Sequence, residues 1–199
     1  MCTSADSAAA ATEASRRHLP GDLAMWLFIL AELSVFAILI LAFAVTQRLK
    51  PQLFAESRQL LDSSSGLAMT LSLLSAGLLA ALAQERVRRA RPRQGAALLL
   101  AALLVATVYL LLKLGEFRHL LGLGLGLEHN TFFTLYWILS GFHFLHVLPG
   151  MLIFAWLAQR CLRGRYGADN CSGFESGVLY WHMVDLVWVL LFPLVYVLD

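Results

Sequence analysis

The chain has 199 residues, 59% of them hydrophobic and 14% charged, with a formal net charge of +2 and a mean hydropathy of +0.72. Soluble domains average about a quarter charged and under half apolar residues, so this composition excludes an ordinary soluble domain and points to a polytopic membrane protein. The small net charge argues against nucleic acid as a partner. Three scattered cysteines, Cys2, Cys161 and Cys171, give neither a disulfide framework nor a metal-ligand spacing.

In chain order, residues 1–19 are rich in Ala and Ser and carry no packed-core pattern, so they read as a disordered tail ahead of one transmembrane domain over residues 20–199. Ser15-Arg16-Arg17 before an apolar run resembles a twin-arginine signal. No small-x-small cleavage site follows, however, and the run is long enough to span, so the first segment is expected to stay in the mature protein.

Crossing a hydrocarbon core takes about 20 apolar residues of helix. Five stretches meet that length, at about 24–45, 65–83, 96–114, 131–158 and 178–198, so the fold class is an all-α bundle of five transmembrane helices. Asp62-Ser63-Ser64-Ser65 supplies capping chemistry for the second. Gly66, Ser72, Ser75, Ala76 and Gly77 give that span a small-residue side for close helix approach. Gly122, Gly124 and Gly126 read as a flexible or re-entrant link, and Pro149 should kink the fourth span by removing a backbone donor. Trp26, Tyr136, Trp137, Trp156 and Trp181 read as interfacial aromatics, Trp188 and Tyr196 as packing.

Lys and Arg set the orientation. The tail, the second-to-third loop and the fourth-to-fifth loop share one side with ten basic residues, against five on the other. The N-terminus is therefore expected in the cytoplasm and the C-terminus in the periplasm. The Arg-rich stretch between Arg86 and Arg93 is a topology signal on this reading rather than a nucleic-acid patch.

Ionisable groups inside hydrocarbon are costly and need partners. Glu32, His143, His146, His182 and Asp185 fall within the spans. Counted from the inner ends of the spans, helical rise puts Glu32 ~12 Å, His182 ~6 Å, Asp185 ~10 Å and His146 ~18 Å deep, close enough for one buried polar cluster from the first, fourth and fifth helices. Lys113 and Glu116 lie at the outer end of the third span, too shallow to join it. Interhelical hydrogen bonding is the simplest role for such a cluster. A haem held by His143 or His146 with His182, a copper or zinc site from the same histidines, and a proton path through Glu32, the histidines and Asp185 are the sharper readings.

Four strings then carry a family resemblance. They are Met25-Trp26-Leu27-Phe28-Ile29-Leu30-Ala31-Glu32 with Phe36, Leu112-Lys113-Leu114-Gly115-Glu116-Phe117, Gly141-Phe142-His143-Phe144-Leu145-His146-Val147 with Gly150, and Tyr180-Trp181-His182-Met183-Val184-Asp185-Leu186-Val187-Trp188. In this order the chain resembles subunit III of the haem–copper respiratory oxidases in its five-helix form. The resemblance implies that Glu32 is the family's buried, carbodiimide-reactive carboxylate. It also implies a non-catalytic subunit of the bacterial inner membrane, without haem or copper of its own, holding phospholipid beside a metal-bearing catalytic subunit and supporting proton uptake. Lys113 stands where the family often has a polar amide. Glu175-Ser176-Gly177 and Leu191-Phe192-Pro193-Leu194 are most similar to the branch associated with bacterial nitric oxide reductase. A stand-alone b-type cytochrome and a small proton channel or transporter remain the alternatives.

Overall fold

The computed structural model describes residues 23–166 and 172–198, so the expected disordered tail lies outside the described residues. The described residues form six α-helices: α1 (Leu23–Leu49), α2 (Pro51–Arg58), α3 (Ser63–Arg88), α4 (Pro92–Gly122), α5 (Thr131–Leu162) and α6 (Ser172–Phe192). A single π-helical turn, Pro193–Val197, follows α6. All but α2 are long and apolar enough to cross a membrane.

The short α2 was not legible in the hydropathy pattern, because eight residues cannot span. Pro51 opens it, where a missing N–H costs nothing. Phe54 anchors it, edge-on to Phe43 of α1 at 5.1 Å and to Phe132 of α5 at 5.2 Å.

α3 and α4 form the tightest pair. Ala76, Ala80 and Ala83 of α3, and Ala96, Ala102 and Ala106 of α4, are all buried, so the backbones approach closely. Gly66, Ser72 and Gly77 also face inward as expected, whereas Ser75 faces out. Asp62 caps α3, accepting from the Ser64 N–H at 3.0 Å and from the Ser64 and Ser65 hydroxyls. These donors, the Ser64 hydroxyl first, hold its carboxyl down at about 2.

Three helices end in the same way. In α3, Arg91 N–H reaches Arg86 O and Ala90 N–H reaches Val87 O; α4 repeats the pattern at Gly124 and Leu125, and α5 at Gly164 and Arg165. The motif places one residue in the left-handed region, filled by Gly124 (φ 75°) and Gly164 (φ 67°) but by Ala90 (φ 56°) after α3. The glycine-rich link is therefore neither loose nor re-entrant. Trp137 Nε1 donates to Leu125 O at 2.9 Å and Thr134 Oγ1 to Leu127 O at 2.6 Å, tying it to the first turns of α5.

α5 runs unbroken through Pro149, and Asn130 caps its start by accepting from Phe133 N–H. α6 begins at Ser172, well before the apolar residues expected to open it. Glu175 in its first turn complements the helix dipole and pairs with Arg88 at 2.7 Å. Trp181 and Tyr136, expected at the interface, are core residues instead: Trp181 stacks on Phe154 at 4.5 Å over Gly150, where a Cβ would meet its ring. α1 is the peripheral helix. Its buried positions Ile29, Phe36 and Phe43 recur every seven residues, a single seam against α5 and α6.

Candidate functional site

The expected single cluster is three separate centres, and a fourth forms where none was expected.

The first joins α1 to α5. His146 Nε2 lies 3.0 Å from Glu32 Oε2, and its Nδ1 lies 2.8 Å from Phe142 O. A backbone carbonyl only accepts, so Nδ1 must carry hydrogen. Nε2 can then bond Glu32 only if a further proton sits between them, as a carboxylic acid beside neutral imidazole or a carboxylate beside imidazolium. In either form the pair is electrically neutral, which suits a site inside the bilayer. The Glu32 and His146 side chains are 22% and 14% exposed. Tyr180 Oη donates to His146 O at 3.0 Å, so the α6 string supports this pair through a tyrosine rather than through His182 or Asp185.

The second centre is His143, fully buried. Its Nε2 lies 3.2 Å from Val184 O and its Nδ1 3.1 Å from Tyr109 Oη. The carbonyl fixes Nε2 as the donor, so Nδ1 accepts from the tyrosine hydroxyl. The ring is a neutral imidazole with both nitrogens engaged, packed on Trp188 at 4.9 Å. His143 and His146 point at different neighbours although they are one turn apart.

The third centre is His182 with Asp185. The expectation that Glu32 and His146 answer this pair is overturned. His182 Nδ1 is 3.9 Å from Asp185 Oδ2, and the carboxylate lies against α3 at Gly77, where a Cβ would collide with Oδ2. The helical register decides this: Tyr180 faces α5, whereas positions 182 and 185 face α3 and the outside of the bundle. Because α6 starts at Ser172, both residues sit near its middle rather than near its inner end.

The fourth centre corrects the reading of Lys113 and Glu116 as too shallow. α4 continues two turns past Leu114, so Tyr109, Lys113 and Glu116 share one inward face at helical spacing. Lys113 is fully buried, and its three donors go to Glu116 Oε2 at 2.9 Å, Tyr196 Oη at 3.0 Å and Tyr136 Oη at 3.2 Å. Tyr196 Oη in turn donates to Glu116 at 2.8 Å. The ammonium also lies about 5 Å from the ring centroids of Tyr136, Phe117 and Trp188, within cation–π range. Tyr196 reaches the site because the π turn carries it inward. Trp188, expected to be packing, also donates from Nε1 to Thr70 at 2.9 Å. The sequence signal that could have found this centre is the 109–113–116 spacing on α4 beside 136–140–143 on α5.

Among the described residues no three His, Cys, Asp or Glu side chains are grouped to hold a metal ion. The fold and these centres define a class: a multi-pass helical membrane protein whose buried polar groups bond mainly to one another across helices.

The family model of cytochrome c oxidase subunit III matches residues 9–199, and the chain belongs to that family. It is 30% identical over 190 residues to cytochrome c oxidase subunit 3 of Synechocystis, covering 94% of this chain and 80% of that one. Against the heme-copper oxidase subunit I+III of Aeropyrum pernix it is 30% identical over 179 residues, 87% of this chain and 22% of that protein. It matches cytochrome c oxidase subunit 3 of Thermostichus vulcanus at 39% identity over 85 residues, 42% of each chain. The chain thus spans less than half the length of two of these relatives.

Proposed function

We propose that the protein is a non-catalytic subunit III of a haem–copper oxidase complex in the bacterial inner membrane, packed beside the metal-bearing subunit I, with bound phospholipid and no nucleic-acid partner. The observation that carries this reading is the state of His143 and His146, whose four ring nitrogens are all spent on internal hydrogen bonds. A chain with its central histidines so occupied stabilises a bundle; it offers no pair of axial ligands. The Aeropyrum pernix relative, named as subunits I and III together, supports subunit I as the neighbour. The excess of basic residues in the tail and in the second-to-third and fourth-to-fifth loops supports an N-terminus in the cytoplasm and a C-terminus in the periplasm.

Purification of the tagged chain from a respiring host in mild detergent tests this. A haem–copper subunit should co-purify, and the Soret absorbance should leave with that subunit on harsher extraction. Haem that stays on the isolated chain and is lost in His182→Ala would favour the b-type cytochrome instead. Proton flux into liposomes holding this chain alone, abolished by Glu32→Gln, would favour a channel.

A narrower reading assigns the chain to a nitric oxide reductase complex. Its support is the pair of strings around Glu175 and Pro193, both with local structural work in this fold: Glu175 pairs with Arg88, and Pro193 opens the π turn. Which reductase co-purifies decides between the two.

A further inference from the structure

We propose that α1, where it meets α6 and α2, holds one anionic phospholipid, with an acyl chain between α1 and α6 and the phosphate at Arg48 and Arg58. This lipid is the bound phospholipid of the reading above, on which it rests, now given a place in the fold and a headgroup charge.

Two hollows lie end to end along α1. The first, between α1 and α6, is almost wholly apolar and measures about 450 Å³, with Leu33, Ala37, Ile40 and Ala44 facing Val187 and Leu190. Helical rise makes residues 33–44 about 16 Å long, close to half of a ~30 Å hydrocarbon core, which is the depth of one acyl chain. One turn on, in the last turn of the span Leu23–Leu49, a second hollow of about 410 Å³ opens over Pro51 and Phe54, lined by Gln47, Arg48, Gln52 and Arg58. Positions 33, 37, 40, 44 and 47 follow one another at steps of three and four, so a single face of α1 carries both hollows.

The charge of the second hollow names the headgroup. Its described lining holds two guanidinium groups and no acid. Arg58 is only 7% exposed, and its Nε and Nη2 donate to Val195 O at 3.2 Å and Leu194 O at 3.4 Å, so its charge is fixed at the inner wall. Arg48 is exposed and pairs with no acid among the described residues. A phosphodiester matches guanidinium groups both in charge and in its paired oxygens. An ammonium headgroup would find no carboxylate there, so the site favours a net negative lipid over a zwitterionic one. The hollow of about 420 Å³ between the α2–α3 corner and α4 has the opposite character: Asp62 and Glu116 line it, and a phosphate would be repelled. The short α2 thereby has two faces with two tasks. Phe54 and Arg58 fix it to the bundle, while the exposed Pro51, Gln52 and Ala55 wall the headgroup.

The test is photolabelling of the full chain in native membranes, with phosphatidylglycerol and phosphatidylcholine probes that each carry a diazirine in one acyl chain. The phosphatidylglycerol probe should label residues 33–44 and 187–190 several-fold more than the phosphatidylcholine probe. Arg48→Glu should lower that labelling about tenfold. Arg118→Glu, the same change at an exposed arginine near the end of α4, should leave it unchanged. Ala37→Phe, which fills the groove without opening a cavity, should also lower it while the haem-bearing subunit still co-purifies. Equal labelling by the two probes, or an Arg48→Glu loss no larger than that of Arg118→Glu, would overturn the proposal. Unlabelled segments in a chain that co-purifies with the haem-bearing subunit would do the same, because a partner helix then covers the groove, and the subunit reading would stand. Selective labelling of a chain that brings down no haem-bearing subunit would support the lipid site and overturn the subunit reading instead.

Discussion

Two of the places where this bundle holds an acid against a basic side chain are built differently. Lys113 and Glu116 sit on one helix and draw Tyr136 from α5 and Tyr196 from the π turn, so each of the three ammonium protons has an acceptor in a dry site. Glu32 and His146 come from two helices and have only each other and a helical carbonyl, at the edge where α1 lies loosely on the bundle. The first arrangement draws side chains from three elements onto one nitrogen and is intolerant of losing any member. The second shares one proton across a bond and stays neutral whichever atom holds it. A buried ionisable residue therefore does not define a role by itself; the number of helices and donors converging on it does.

This contrast can be broken by mutation. Removing one partner of a buried pair and leaving the other costs about 3–5 kcal/mol, so Lys113→Ala should show the largest loss in thermal or denaturant unfolding in detergent. The double variant Lys113→Met, Glu116→Gln should recover most of it, because no charge is then stranded. His143→Phe should cost about 1–3 kcal/mol by orphaning the buried Tyr109 hydroxyl, while leaving any haem spectrum of the complex unchanged. Glu32→Gln should cost no more than about 0.6 kcal/mol, since an amide N–H can still donate to His146 Nε2. A loss there as large as that of Lys113→Ala would mean that the Glu32 site holds a fixed charge after all.

The two ends of α3 give small effects as well. Ala90 occupies the left-handed position that glycine fills after α4 and α5, so Ala90→Gly should raise stability by about 1 kcal/mol. At the other end, the Asp62 cap carries a linkage that can be signed. Its carboxyl titrates at about 2 rather than at the ordinary 3.8. The cap's contribution is complete above the ordinary value and is lost as pH falls from there through about 2. Unfolding of Asp62→Asn should therefore be less pH-dependent than that of the wild type across this interval, with the curves converging at its acid end.

Much of the fold was legible because hydrocarbon imposes a length. All five spans are where the apolar stretches lie, although α4 and α6 extend beyond them through Gly115–Gly122 and Ser172–Gly177. Those extensions are polar or small, so hydropathy ends too early, and Lys113, Glu116 and the depths of His182 and Asp185 were misjudged for that reason. The four strings also contain Glu32, Lys113, Glu116, His143, His146, His182 and Asp185, though not the buried Arg58. They did not show which groups meet, because helical faces at 143, 146, 180, 182 and 185 differ by fractions of a turn.

The sequence alone thus determined the class, the number of spans, the Asp62 cap and the family, since each depends on composition or local spacing. Only the tertiary structure decided the pairings. It divided one expected cluster into Glu32–His146, His143–Tyr109 and His182–Asp185, and it buried Lys113 among two tyrosines. The physical reason is that a hydrogen bond between helices depends on how they are rotated against each other, and that rotation is set by the packed small residues and aromatics of the whole bundle rather than by any one string.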